Sequence, residues 1–349
     1  MWTVDSVGFE GQSLEDDLKA CRETIRIGSR SFYAASRLLP KQVRNAAFAL
    51  YAFCRVSDDA VDLGQDQRLA LNLLQNRLDK VYKGTPEARP VDRAFAWVVR
   101  TYGIPREVPE ALLDGYRWDI SGRRYRELDE LIGYAVRVAS TVGVMMALVM
   151  GVRERTALAR ACDLGIAMQL TNIARDIGED ARAGRLYVPT DWIAASGENP
   201  LQVGQATSGT ARVTRRLLEA ADQFYERGIA GIVYLPSSCQ SAIMAAARIY
   251  QRIGVEIARN GFDSISRRAV VSSRRKLALL GVAQIQASRI IDDLDAAPHQ
   301  ETVFLLNAVE KTTKPILALE DAPSKSAWVI DLIGRLEARD RSLNYRSSI

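Results

Sequence analysis

Two stretches of the chain carry oxygen donors at helical spacing. The first is Tyr51-Ala-Phe-Cys-Arg55-Val-Ser-Asp58-Asp59-Ala-Val-Asp62. At ~100° per residue, Tyr51, Arg55, Asp58 and Asp62 fall within one narrow arc of a helix. Val43, Ala47, Leu50, Cys54 and Val61 lie to one side as an apolar stripe. Asp58 and Asp62 are one turn apart, so their carboxylates can converge on one cation. The second stretch is Gln169-Leu-Thr-Asn172-Ile-Ala-Arg175-Asp176-Ile-Gly-Glu-Asp180, where Asn172, Asp176 and Asp180 recur every four residues. Hard oxygen ligands without imidazole or thiolate select Mg²⁺ or Mn²⁺ over zinc. Magnesium usually binds through one or two carboxylates plus phosphate oxygens of a substrate, and Arg55 and Arg175 can add charge-assisted contacts to the same phosphates. One such repeat is commonly a solvated polar face with intrahelical pairs. Two, each with an arginine beside it and an apolar run alongside, point to a metal–diphosphate site. Asp58, Asp59 and Asp62 also place like charges together, which costs stability unless a cation compensates.

Other chemistries are excluded by what the chain lacks. Its 349 residues contain one histidine, His299, in the polar stretch AAPHQE. A Ser-His-Asp or Cys-His hydrolase needs a better-placed imidazole, and so does a His-rich zinc site. Cys21, Cys54, Cys162 and Cys239 are far apart and form no CxxC pair, which implies a reducing compartment without a disulfide framework. The composition, 48% hydrophobic and 26% charged, is that of a globular protein. A net charge of +5 is too mild for a nucleic-acid footprint. The one basic run, Arg267, Arg268, Arg274, Arg275 and Lys276, is either a solvated helix start or a surface for phosphate groups or anionic membrane. No basic start followed by an apolar run opens the chain, so no signal peptide is expected. The most apolar stretch, Val138 to Val152, is 15 residues long. That is short of the ~20 needed to span a bilayer, and a buried helix is expected instead.

The elements that must position these residues are helices. No proline occurs between Pro109 and Pro189 or between Pro236 and Pro298, and apolar residues recur every three or four positions. Ser13 with Asp16 resembles a capping box opening a helix to about Leu39. Pro40 precedes a second helix ending at Gly64, a plausible stop. Helices follow near 66–83, 91–102, 107–121, 128–150 and 154–184. An irregular connection, GRLYVPTDWIAASGENP, leads to helices near 208–234, 237–260, 272–294, 301–319 and 324–343. The reading is all-α, one domain over 1–349, with Asp295 to Glu301 as either a boundary or a surface loop.

In order and spacing, GSRSF (28–32), YAFCRVSDDAVD (51–62), GYAVRVASTVG (133–143), QLTNIARDIGEDARAGRLYVP (169–189) and AARIY (246–250) resemble the squalene and phytoene synthase family. The resemblance covers roughly 15–290, and QLTNIARDIGED followed by GRLYVP is similar to its bacterial phytoene-forming branch. It implies an isoprenoid-synthase-type helical bundle around a central apolar cavity, and head-to-head condensation of two prenyl diphosphates. By position it assigns Asp58, Asp62, Asn172, Asp176 and Asp180 to Mg²⁺ (Mn²⁺ as a substitute), with Asp59 second in rank. Arg55, Arg175, Arg267, Ser29, Ser31, Tyr51 and Tyr250 would contact diphosphate oxygens. Tyr134 would face the reacting carbons, and Phe32, Val138, Ala139, Val142 and Gly143 would line the prenyl channel. Ser140 stands where the family commonly has glycine, which would narrow that channel slightly. Arg137, inside an apolar helix, is explained only if it reaches the acidic cluster or a diphosphate.

The implied reaction joins two geranylgeranyl diphosphates through prephytoene diphosphate to phytoene, the first committed step of carotenoid synthesis. No NADPH is expected. A squalene or dehydrosqualene synthase using farnesyl diphosphate is the alternative within the family. A non-catalytic assembly factor is the alternative outside it, but such a protein should have lost an acidic face. The implied location is cytoplasmic, with peripheral membrane contact through the basic run. Residues 295–349 are expected to form a helical C-terminal extension, and no motif in them signals a role or an oligomeric state.

Overall fold

Ser13 opens the fold as its spacing from Asp16 predicts. Its Oγ accepts the Asp16 N–H at 3.2 Å and starts α1 (Leu14–Gly28). This helix does not run on to Leu39. It breaks at Ser29, which is extended and caps α2 (Arg30–Ser36) by accepting the Phe32 N–H. At the break the chain runs close to the neighbouring helix: a Cβ on Gly28 would stand 2.5 Å from the Tyr51 hydroxyl.

The computed structural model describes residues 13–62, 64, 66–197, 205–286 and 296–312, and among these no strand occurs. After α2 come α3 (Lys41–Asp62), α4 (Gln67–Tyr82), α5 (Pro90–Tyr102), α6 (Glu107–Ile120) and α7 (Leu128–Ala135). A π-helical turn (Val136–Ser140) joins α7 to α8 (Thr141–Val149), followed by the long α9 (Arg155–Arg182). The connection expected to be irregular contains α10 (Thr190–Ser196). Pro189 and Gly197 flank only seven residues, too few to show a helical period in the sequence. The remaining elements are α11 (Ser208–Ala230), α12 (Ser237–Arg259), α13 (Ser273–Gln286) and α14 (Val303–Glu310). The helix expected at 324–343 lies outside the described residues.

Helix α9 is the axis of the bundle. Two glycines let its neighbours approach at backbone distance. A Cβ on Gly228 of α11 would be 2.7 Å from Leu164 N, and one on Gly165 would be 2.7 Å from Ser140 Cα in the π turn. Ser140 is fully buried and its Oγ donates to Cys162 O at 2.8 Å. The hydroxyl expected to narrow a channel therefore ties the turn to α9 instead. Gly143 likewise packs on α9, with Ala161 O 2.7 Å from its would-be Cβ.

The helix expected over 128–150 forms, and the π turn lies within it. Because it keeps the chain helical, Leu128–Val149 forms a run of 22 residues, long and apolar enough to cross a membrane. Two-thirds of that apolar window is nonetheless buried inside the protein, where α6 and α9 flank it. A continuous apolar core extends from Cys21 to Val309. All four cysteines are free.

Candidate active site

The two acidic faces end at the same place. Gly184, with φ +73°, terminates α9 and folds the chain back so that Arg185 N–H reaches Asp180 O at 2.8 Å. The Arg185 guanidinium then spans the gap, 3.3 Å from Asp62 on α3 and 3.5 Å from Asp180 on α9. Around it the carboxylates are poorly compensated. Burial pushes Asp180 up to about 7, with Asp176, Glu179 and Asp119 adding to the rise against Arg185. Burial likewise pushes Asp58 up to about 6, with help from Asp62. Arg55 answers mainly to Asp59, at 2.6 Å, and only at 3.8 Å to Asp58.

Asp176 is the exception. Burial acts to raise it, but hydrogen bonds from Arg175 (2.8 Å) and Arg268 (2.7 Å) outweigh this and hold it below the usual carboxylate range. Arg268 arrives on the loop after α12, and Gly178 is what seats that loop: its N–H bonds Ser264 O at 2.9 Å, and a Cβ would strike Ile265 O at 2.5 Å. It is thus Arg268 that bonds Asp176, whereas Arg267 beside it is exposed.

The other positions divide between the site and the frame. Phe32 stacks on Tyr250 at 5.1 Å and tilts against Tyr51 at 6.4 Å, close enough to Arg175 and Asp176 that both act on the Tyr250 phenol. Ser29 spends its Oγ on the cap of α2, and Ser31 sits half-buried as the second residue of that helix. Val138, Val142 and Met146 form a half-covered stripe one helical turn apart on the otherwise buried π turn and α8, with Ala139 beside them. Asn172 Oδ1 is buried without a hydrogen-bond partner among the described residues.

Tyr134 donates to Asp119 Oδ2 at 2.9 Å, and Tyr187 donates to Oδ1 of the same carboxylate at 2.8 Å. The two rings stack at 5.1 Å, with Tyr125 on Tyr134 at 5.5 Å. Burial raises Asp119 to about 6 even though both phenols and Arg185 pull it down. Asp119, Arg185 and Tyr187 are not singled out by the sequence, and Arg268 is marked only as part of the basic run. Arg185 and Tyr187 lay within the quoted GRLYVP, whereas Asp119 had no signal beyond an acid beside a tryptophan. Arg137 does not reach the acidic cluster; it turns the other way, onto Trp118, with its guanidinium 4.1 Å from the ring.

Among the described residues, no three carboxylate, imidazole or thiolate groups stand at metal-binding distance, and Arg185 and Arg268 engage the carboxylates. The donor set nevertheless fits a hard cation: it is all oxygen, it holds raised carboxylates, and it includes an orphaned amide oxygen.

The sequence profile of the squalene/phytoene synthase family matches residues 25–276. The chain belongs to this family. A phytoene synthase of Rhodobacter capsulatus is 46% identical over 94% of this chain and 98% of its own length. One of Cereibacter sphaeroides is 47% identical over 94% and 96%. Among solved structures, a dehydrosqualene synthase is 29% identical and superposes with a TM-score of 0.75 over 79% of this chain and 98% of its own. This squalene/phytoene synthase family member is thus an all-α isoprenoid-synthase-type bundle.

Proposed function

We propose that this protein is a prenyltransferase that condenses two geranylgeranyl diphosphates head to head, through prephytoene diphosphate, to phytoene. The observation that carries the reading is the meeting of both acidic faces at Arg185, next to the Asp119–Tyr134–Tyr187 network and the half-covered apolar stripe. The phytoene synthases nearly half identical over almost the whole chain support the twenty-carbon substrate.

Asp58, Asp62, Asn172, Asp176 and Asp180 would hold Mg²⁺, or Mn²⁺ in its place. When bound, these ions supply Lewis-acid neutralisation of a departing diphosphate. Arg55, Arg175, Arg185 and Arg268 donate to diphosphate oxygens, and Ser29, Ser31, Tyr51 and Tyr250 complete the polar lining. Phe32, Val138, Val142 and Met146 keep water from an allylic cation that it would quench. Tyr134 donates its O–H hydrogen bond to Asp119, so the lone pairs of its oxygen are left to face developing positive charge. Protons leave carbocations in this chemistry, so no strong base is required. The released diphosphate, or Tyr134 with Asp119 behind it, suffices. His299 takes no part.

Incubation with each prenyl diphosphate and magnesium, followed by mass spectrometry of the extract, tests this. A forty-carbon hydrocarbon from the twenty-carbon substrate, without NADPH, is expected. Hydrocarbon from farnesyl diphosphate alone would overturn the reading. Because substrate and product are lipids, we also propose peripheral membrane contact at Arg267, exposed Val270 and Arg274. The protein should float with anionic vesicles at low salt and release at high salt; no flotation at low salt would reject the contact.

A further inference from the structure

Residues 296–312 lie beyond the 25–276 family match, yet they fasten to the back of the site. Fully buried Arg160 donates to Ala296 O at 2.9 Å and Arg227 to Ala297 O at 2.8 Å. Both guanidiniums also face buried Asp163, at 2.9 and 3.3 Å. The lone histidine then shapes the turn. His299 Nδ1 accepts the Glu301 N–H at 3.3 Å, its ring lies 5.9 Å from Phe224, and Nε2 is 3.6 Å from Asp129.

This brings Glu301 onto Gly133, where a Cβ would come within 2.9 Å of its Oε2. Arg137 donates to Gly133 O at 2.8 Å and lies 4.0 Å from Glu301. Its guanidinium is sandwiched between Trp118, at 4.1 Å, and Phe304, at 5.4 Å. The Arg137 carbonyl is tied in turn by Thr141 Oγ1 at 2.6 Å, inside the π turn. Trp118 and Gly133 are the immediate chain neighbours of Asp119 and Tyr134. An arginine is a costly residue for packing alone in an apolar helix, since burial disfavours its charge. Its contacts join the two segments that bear the hydrogen-bonded Tyr134 and Asp119.

We propose that Arg137, Glu301 and Phe304 are positioning residues, through which the C-terminal segment 296–312 holds Asp119 and Tyr134 in register from behind. The inference rests on the function proposed above. The test uses full-length Phe304→Ala, Phe304→Tyr and Glu301→Gln. Arg155→Ala serves as a comparison, because Arg155 grips the far side of α14 at Asn307 (3.1 Å) and Glu310 (2.8 Å) without touching Arg137. The readouts are kcat, KM, Tm, and the fraction of cyclopropyl diphosphate released before conversion to hydrocarbon.

Small displacements of positioned groups cost rate. Phe304→Ala and Glu301→Gln should therefore lower kcat on the order of tenfold, with KM within about twofold, and release more intermediate. Phe304→Tyr should restore both, and Arg155→Ala should lower Tm alone. Wild-type kcat and partition in Phe304→Ala and Glu301→Gln would overturn the inference. So would an equal shift of partition in Arg155→Ala. Failure of the wild-type protein to make any hydrocarbon would instead fail the proposed function, and the inference with it.

Discussion

Asp180→Asn is expected to reduce hydrocarbon formation on the order of a thousandfold while making the metal-free protein more stable, not less. The two effects share a cause. Asp180 is pushed up to about 7 by burial and by Asp176, Glu179 and Asp119, with only Arg185 at 3.5 Å to offset them. Its ionised form is what a cation needs and what the empty fold resists. A carboxyl whose folded pKa is raised costs stability above that pKa, and the cost fades as pH falls toward the ordinary value of 3.8. The amide carries no such cost. Asp180→Asn should thus melt higher than wild type at pH 8, with the gain shrinking below about pH 7 and vanishing near pH 4. Magnesium with inorganic diphosphate should raise the wild-type Tm through mass action, and raise that of the variant far less. Thermal scans across pH, with and without the two ions, check all of this. A variant that melts lower at pH 8, or keeps a tenth of the activity, would refute it.

Gly165→Ala is expected to unfold the protein more readily by about 3 kcal/mol, the upper part of the usual overpacking range, and to impair turnover beyond that loss. The added methyl would meet backbone, not a side chain that can swing away: Ser140 Cα at 2.7 Å, Ser140 N at 2.8 Å and the carbonyl carbon of Ala139 at 2.9 Å. Relief requires α9 and the π turn to separate, which breaks the Ser140–Cys162 hydrogen bond. The same movement carries Tyr134 and Val138 away from α9, which bears Asp176 and Asp180. Chemical denaturation measures the first effect. Turnover at a temperature where the variant is fully folded measures the second. Stability within about 1 kcal/mol of wild type would mean that the crossing is looser than these distances imply.

The acidic faces were legible because their signal is local. A repeat of four on a helix aligns side chains whatever the rest of the fold does, and α3 and α9 form where the pattern requires. The break at Ser29 was also written in the chain, as a glycine followed by a capping serine, but the unbroken apolar spacing around it suggested one helix. What could not be read was the meeting of distant segments. Asp119 joins Tyr134 and Tyr187 only through the packing of α6, α7 and the turn after α9. Arg267 and Arg268 are equivalent as letters, and a loop imposes no period to separate them. The seating of Ser264 and Ile265 on Gly178 decides which one faces Asp176. The helix over 128–150 was legible from its spacing, whereas the π turn inside it leaves no mark in hydropathy.

That turn has a consequence for how the helix is indexed. A π turn holds one residue more than an α turn, and each residue advances a helix by about 100°. Leu128–Val149 therefore consists of two stretches in different phase: one sets the angle of Tyr134, the other the angle of Val142 and Met146. Deleting a single residue from Val136–Ser140 would leave composition and length almost untouched. It would convert the π turn to an ordinary α turn and leave Val142 and Met146 on the side they now line, because the extra residue is what the π turn absorbs.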